Sequence, residues 1–187
     1  MKNEQMTLMT KKKMAEALEE IMKHKDFNKI SVKDITDACD ISRPTFYYHF
    51  QDIYELLEYA FNEELMGIFD QAQVADLSQR LSMTLSFVLD HKEICLNAYH
   101  NIGYEKLEHY LFPYTEKIVK VVIDDFNQDV GADREATDFI LRYHSHAFVG
   151  LLIDWMEDDC TMPVDQFVKR FDLIMDGAIL EELKRLA

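Results

Sequence analysis

Glycine and proline are scarce, with five and three among 187 residues. A many-turned β fold needs far more such breaks, so long helices are expected. Cysteine is scarce too. Cys39, Cys95 and Cys160 form no CxxC motif and cannot all pair, which points to reduced thiols in a cytoplasmic protein rather than a disulfide framework. Long apolar runs are missing. The longest, Ala147 to Ile153, falls well short of the ~20 residues that span a bilayer. Met1 to Lys13 is polar and lacks the apolar centre of a secretory leader, so neither a leader nor a membrane partner is expected. No repeat or low-complexity tract occurs. Also lacking are a Ser/His/Asp order, a glycine-rich phosphate loop and paired carboxylates at an apolar cleft, which argues against an enzyme. Asp124-Asp125 and Asp158-Asp159 read as helix ends.

What is present is apolar mass and acid. Hydrophobic residues make up 48% of the chain, enough for a real core, and the net charge is −15. That charge is unevenly spread. Through Phe50 there are nine Lys/Arg and eight Asp/Glu; the remainder carries 11 and 27, so the first part is near neutral and the second strongly acidic. Lys11, Lys12 and Lys13 cluster, followed by Lys23, Lys25, Lys29 and Lys33. A lysine-rich face is usually only a solvated surface, so its meaning depends on the helices that carry it.

Met14, Ala17, Leu18, Ile21 and Met22 recur at helical spacing and predict a first helix from about Thr10 to Lys25. Asp26 to Lys29 reads as a turn. Ser31 then caps a second helix, Val32 to Cys39, with Asp34 three residues on in a capping-box arrangement. Ser42 caps a third, Arg43 to His49, whose first turn holds Pro44, where a missing N–H costs nothing. Asp52 caps a fourth that runs to Phe69 with Leu56, Leu57, Ala60, Phe61, Leu65 and Ile68 along it. Further helices are predicted near Asp76–Asp90, Lys92–Asn101, Glu105–Asn127, Arg134–Glu157 and Pro163–Leu186, with breaks at Gln71–Ala75, Asn101–Tyr104, Gln128–Asp133 and Glu157–Met162. No two-residue alternation persists, so no strands are expected.

Two short helices joined by a tight turn and braced by a longer one form the layout of a helix-turn-helix. The second must enter the major groove with a polar face while its inner face locks onto the first two, as Phe46 and Phe50 can do. Flanking donors must hold phosphates to fix register.

Residues 10 to 69 resemble the TetR family of transcriptional regulators. Phe27-Asn28-Lys29-Ile30-Ser31-Val32-Lys33-Asp34-Ile35 is similar to that family's entry into its second helix. Ile41-Ser42-Arg43-Pro44-Thr45-Phe46-Tyr47-Tyr48-His49-Phe50 is similar to its recognition helix, and Asp52, Glu55 and Leu56 to the start of its linking helix. The resemblance implies a DNA-binding set of Lys33, Ser42, Arg43, Pro44, Thr45, Tyr47, Tyr48 and His49. In it Arg43, Thr45 and Tyr48 face base edges, Tyr47 and His49 bind phosphates, and Lys33 with the amides opening the second helix holds another phosphate. Two positions depart from the pattern. Asp40 replaces the usual turn glycine, and Ile53 replaces the usual lysine after the cap, removing one phosphate contact.

The resemblance implies an all-α fold: a three-helix DNA-binding domain over residues 1–51 and a helical ligand-binding and dimerisation domain over 52–187, with 52–69 as the link. Phe148, Gly150, Leu151 and Trp155 on the penultimate helix, with Phe167, Phe171, Ile174, Met175 and Ala178 on the last, are expected to form a four-helix dimer interface. The same stripe also suits a monomer core. Phe87, Tyr99, His100, Tyr104, Tyr110, Phe112, Tyr143 and His144 are candidate lining for an effector pocket, although aromatics at helical spacing are more often core. His91, Cys95, His100, His109, His144 and His146 raise metal sensing, but nothing in their spacing makes three or four converge, so neither metal nor cofactor is expected beyond an unidentified small-molecule effector. The expected function is a homodimeric regulator, by the family's common mode a repressor, that binds a palindromic double-stranded operator and releases it on effector binding. The alternative is a helical interaction protein or co-regulator that has lost DNA binding, favoured by the acidic charge and Ile53.

Overall fold

A computed structural model describes residues 2–71, 77–175 and 177–187. Among them are ten α-helices, one 3-10 turn and no strand. The helices are α1 Lys2–Met22, α2 Val32–Cys39, α3 Arg43–His49, α4 Ile53–Gln71, α5 Leu77–Asp90, α6 Lys92–Ile102, α7 Tyr104–Val130, α8 Arg134–Glu157, α9 Val164–Met175 and α10 Ala178–Leu186; the 3-10 turn, Phe27–Lys29, follows α1. No helix among the described residues is long and apolar enough to cross a membrane.

Two boundaries differ from the sequence expectation. Helix α1 begins at Lys2 rather than near Thr10, because that polar stretch contains no helix breaker; Thr10 bonds back to the Met6 carbonyl at 2.9 Å. The expected single helix from Pro163 to Leu186 is two. Gly177 has φ +70°, a left-handed conformation that ends one hydrogen-bond ladder and opens the next. The expected break at Gln71–Ala75 lies, beyond Gln71, outside the described residues.

The three-helix head packs around Met14, Leu18, Met22, Phe27, Ile35, Cys39, Phe46 and Phe50, all buried, and α4 closes the base with Leu56 and Leu57. Each such side chain contributes about 1.5–3 kcal/mol through burial. In the second part α7 and α8 pack lengthwise, bringing Tyr114, Ile118, Val149 and Leu152 into the core. A smaller cluster of Val119, Ile123, Ile140, Ile179 and Leu183 seats α10 on them.

This packing reassigns part of the expected dimer stripe. Phe148, Trp155, Phe167 and Phe171 are buried within the protomer. The Phe148 and Phe171 rings meet edge to face at 5.9 Å, as do Trp155 and Phe167, and the Trp155 indole donates to the Met162 carbonyl at 2.9 Å. The physical reason is that α9 folds back onto its own protomer. Leu151 and Ile174 stay exposed, while Gly150, Met175 and Ala178 are half-buried.

Candidate DNA-binding interface

Local hydrogen bonds shape the two short helices. The Ser31 hydroxyl oxygen accepts the Asp34 amide at 3.3 Å, and the Asp34 carboxylate accepts the Ser31 amide at 2.7 Å, the Ser31 hydroxyl at 2.7 Å and the Lys25 ammonium at 2.9 Å. These bonds, that of the Ser31 hydroxyl foremost, hold the Asp34 carboxyl well below the usual carboxylate range. Ser42 caps α3 by accepting the Thr45 amide at 3.3 Å, and the two hydroxyls lie 2.8 Å apart. Asp40 takes the turn conformation at φ 50°, ψ 50°, and the Ile41 amide reaches back to the Thr36 carbonyl at 3.0 Å. An aspartate thus fills a role glycine fills without strain.

Helix α3 is sided. Phe46 and Phe50 point inward, with ring centroids 6.1 Å apart, and lock it onto α1, α2 and α4. Outward, Tyr48 is 78% and Tyr47 57% exposed, and Ser42, Arg43 and Pro44 are exposed as well. Thr45 and His49 are half-buried at the edge. The His49 ring meets Tyr48 edge to face at 4.9 Å. Burial, with the Lys11 charge second, pushes the His49 imidazole below its ordinary value, so it stands neutral at pH 7 and able to donate. Lys33 pairs with Asp37 at 3.1 Å in an exposed (i, i+4) bridge, weak enough to yield to a phosphate.

Further cations surround this face. The Lys11 ammonium lies 5.2 Å from the centroids of both Phe50 and Tyr59, and Lys13 donates to the Cys39 carbonyl at 2.6 Å. Asp52 caps α4 through the Tyr54 and Glu55 amides at 2.8 and 2.9 Å, but Ile53 packs against the core and offers no donor.

Two family matches cover most of the chain. Residues 15–60 match the family described as bacterial regulatory proteins, tetR family, and residues 75–177 match its transcriptional regulator C-terminal region. The chain belongs to the TetR family. Among curated proteins, the HTH-type dhaKLM operon transcriptional activator DhaS of Lactococcus lactis subsp. lactis (strain IL1403) is 28% identical over 154 residues, covering 80% of each chain. A solved structure titled dihydroxyacetone kinase operon activator DhaS shares the fold, with a TM-score of 0.67 at 21% identity over 96% of this chain and 98% of that one. This TetR-family chain is therefore a DNA-binding transcriptional regulator.

The residues expected to line an effector pocket do not converge in this TetR-family fold. Phe87 borders an interior cavity of about 20 Å³, shared with Phe61, Leu65, Thr84, Leu111 and Leu152. Tyr110 is buried elsewhere, its hydroxyl on the Tyr54 carbonyl at 3.4 Å. Tyr143 and His144 border a different groove, of about 180 Å³, between α8 and α9–α10, where the His144 ring bonds Glu182 at 2.6 Å. Tyr104 and His100 are exposed, and Tyr99 and Phe112 are half-buried. Phe112 stacks near His146 at 4.6 Å. An open groove of about 1290 Å³ is bordered by α5, α7, α9 and α10. Among the described residues no three His, Cys, Asp or Glu side chains converge as metal ligands. Sequence reasoning missed Asn97, whose side chain ties α6 to the head; its only signal was a poor helix former inside a helix.

Proposed function

We propose that this regulator binds a palindromic double-stranded DNA operator as a homodimer and that a small molecule bound in the second domain changes its grip. The observation that carries the reading is the sidedness of α3: Arg43, Pro44, Tyr47 and Tyr48 are presented outward on a helix fixed from behind by Phe46 and Phe50. Arg43 and Tyr48, with Thr45, read base edges; Tyr47 and His49 hold one phosphate, while Lys33 and the amides opening α2 hold another. Such a protein works where the chromosome is, in the cytoplasm.

Pairing is supported by an exposed apolar stripe. On α8, Phe139, Tyr143, Ala147, Gly150 and Leu151 share one side, and Leu173 and Ile174 extend it on α9. A Cβ placed on Gly150 would touch nothing in its own protomer, so the space before it is open to a partner helix. Two copies would then set the recognition helices about 34–36 Å apart, one DNA turn.

For the effector, the interior cavity is the natural entry. At about 20 Å³ it holds no more than a water, against the ~300 Å³ and upward of ordinary ligand sites. A small apolar effector therefore has to spread α4, α5, α7 and α8, and α4 carries the displacement straight to the head. Repression with release on effector binding is the primary reading. Activation is the second, favoured because the Lactococcus relative is named an activator. Selection of bound sequences from random DNA tests the operator reading and is expected to return inverted half-sites; unselected or single half-sites refute it. A reporter fused to the selected site gives the sign, falling with the protein for repression and rising for activation.

A further inference from the structure

The DNA-binding head is held by two elements besides its own chain link. Through α4 it continues into the second domain, and at the base of α4 the Tyr54 ring is covered by the Lys106 ammonium of α7 at 3.6 Å. Because Leu56 and Leu57 pack α4 into the head, head and α4 move together, and α4 alone leaves open their common tilt against the second domain. The second hold is Asn97, in the middle of α6. Its side-chain NH2 donates to the Met22 carbonyl at 2.7 Å and the Lys25 carbonyl at 2.9 Å, and its oxygen accepts the Phe27 amide at 2.9 Å. The same oxygen accepts Asn101 Nδ2 at 3.0 Å, so all four bonding positions of the amide are filled.

Three of those four partners belong to the head. Met22 closes α1, and the last carbonyls of a helix have no partner within it. Asn97 satisfies one of them and grips the turn that follows. Phe27, caught by its amide, is fully buried, and its ring meets Tyr54 edge to face at 5.1 Å. The latch on α6 and the α4–α7 junction thus meet at one residue, and together they hold the head at one angle to the second domain.

We propose that Asn97 is a positioning residue for operator binding: it sets the orientation of each head, and through it the half-site spacing that the protein selects. The inference rests on the homodimer reading above. Adding one base pair moves a half-site by ~3.4 Å and turns it by roughly a tenth of a helical turn, so a rigidly held pair of heads tolerates little change.

The test measures affinity for a series of inverted repeats whose spacers differ by single base pairs, using the full-length protein and N97A, N97L and N101A variants. The wild-type protein is expected to prefer one spacing by about tenfold or more over its neighbours. N97A and N97L are expected to flatten that preference to within about threefold, while thermal unfolding still shows a folded protein and a Tyr48-dependent contact to the half-site persists. N101A, which leaves all three head bonds intact, is expected to keep the wild-type profile. N97L guards against a cavity effect, since it fills the volume without the bonds. Variants that lose affinity equally at every spacing, keeping the wild-type preference, overturn the proposal, as does an unchanged profile or loss of the fold in both variants. A wild-type protein indifferent to spacing overturns the homodimer reading itself, and is recognised because it needs no variant.

Discussion

The apolar stripe on α8 and α9 makes a sharp prediction about assembly. Phe139, Tyr143, Leu173 and Ile174 are 70, 59, 75 and 73% exposed in the protomer, and Leu151 is 44% exposed. Together they offer roughly 600 Å² of apolar surface per protomer, or ~1,200 Å² for a pair, the lower end of what a stable interface buries. Replacing Leu151 and Ile174 with arginine removes roughly 200 Å² of that surface per protomer, worth about 5 kcal/mol at ~25 cal/mol per Å². It also places unpaired charges in the contact, at several kcal/mol more. The dimer dissociation constant is therefore expected to rise at least about a thousandfold. The fold should survive, because both side chains already reach water. Sedimentation equilibrium checks the mass, and circular dichroism checks helicity. The double variant should sediment as a monomer with wild-type helicity and should lose tight operator binding. A dimeric double variant at micromolar concentration would refute the assignment of this face.

Other expectations follow from the head. The pair Y47A and H49A removes two uncharged donors to one phosphate, so at pH 8 operator affinity should fall at every salt concentration while the log–log salt slope, set by Lys and Arg, stays nearly unchanged; an unchanged affinity sinks the assigned roles. His49 is held below its ordinary value in the free protein, and a phosphate favours its protonated ring, so binding should take up a proton. Operator affinity should then rise as pH falls below about 7, and H49Q should lose this rise. D34A removes the reciprocal cap of α2 and should cost about 1 kcal/mol at neutral pH. Because the Asp34 carboxyl is held low, its contribution is present above the unfolded value of about 4, and the gap between wild type and D34A should close as pH falls below that. D40G relieves a left-handed aspartate and should raise the stability by about 0.5 kcal/mol, measured by thermal unfolding.

How far the sequence reached depended on how local each feature is. The cap of Ser31 with Asp34, the Ser42 cap with Pro44 behind it, and the left-handed tolerance of Asp40 are written within four residues, so α2 and α3 match their expected bounds. The break at Gly177 was hidden by an apolar stripe that continues on both sides of it. Phe148, Trp155, Phe167 and Phe171 were assigned to a partner but fill their own protomer, because α8 is apolar on two sides and spacing cannot say which one another copy covers. The effector residues were least legible. Tyr110 and His144 find their partners on Tyr54 and Glu182, distant in sequence, and nothing in a helical period announces such pairs. Asn97 belongs to the same class, since its three head contacts lie some seventy residues away in the chain.

The uneven charge of the chain bears on how the protein finds its site. A head near neutrality joined to a body carrying the acid gives little general attraction to phosphate backbones. Most of a chromosome is competing non-specific DNA, and a strongly basic regulator spends its time bound there. This one should spend more of it free, arriving by diffusion through solution and dwelling only where the base contacts proposed for Arg43 and Tyr48 are met. Fewer copies per cell then suffice to keep one operator occupied, and a rise in salt slows its arrival less than it would for a basic protein.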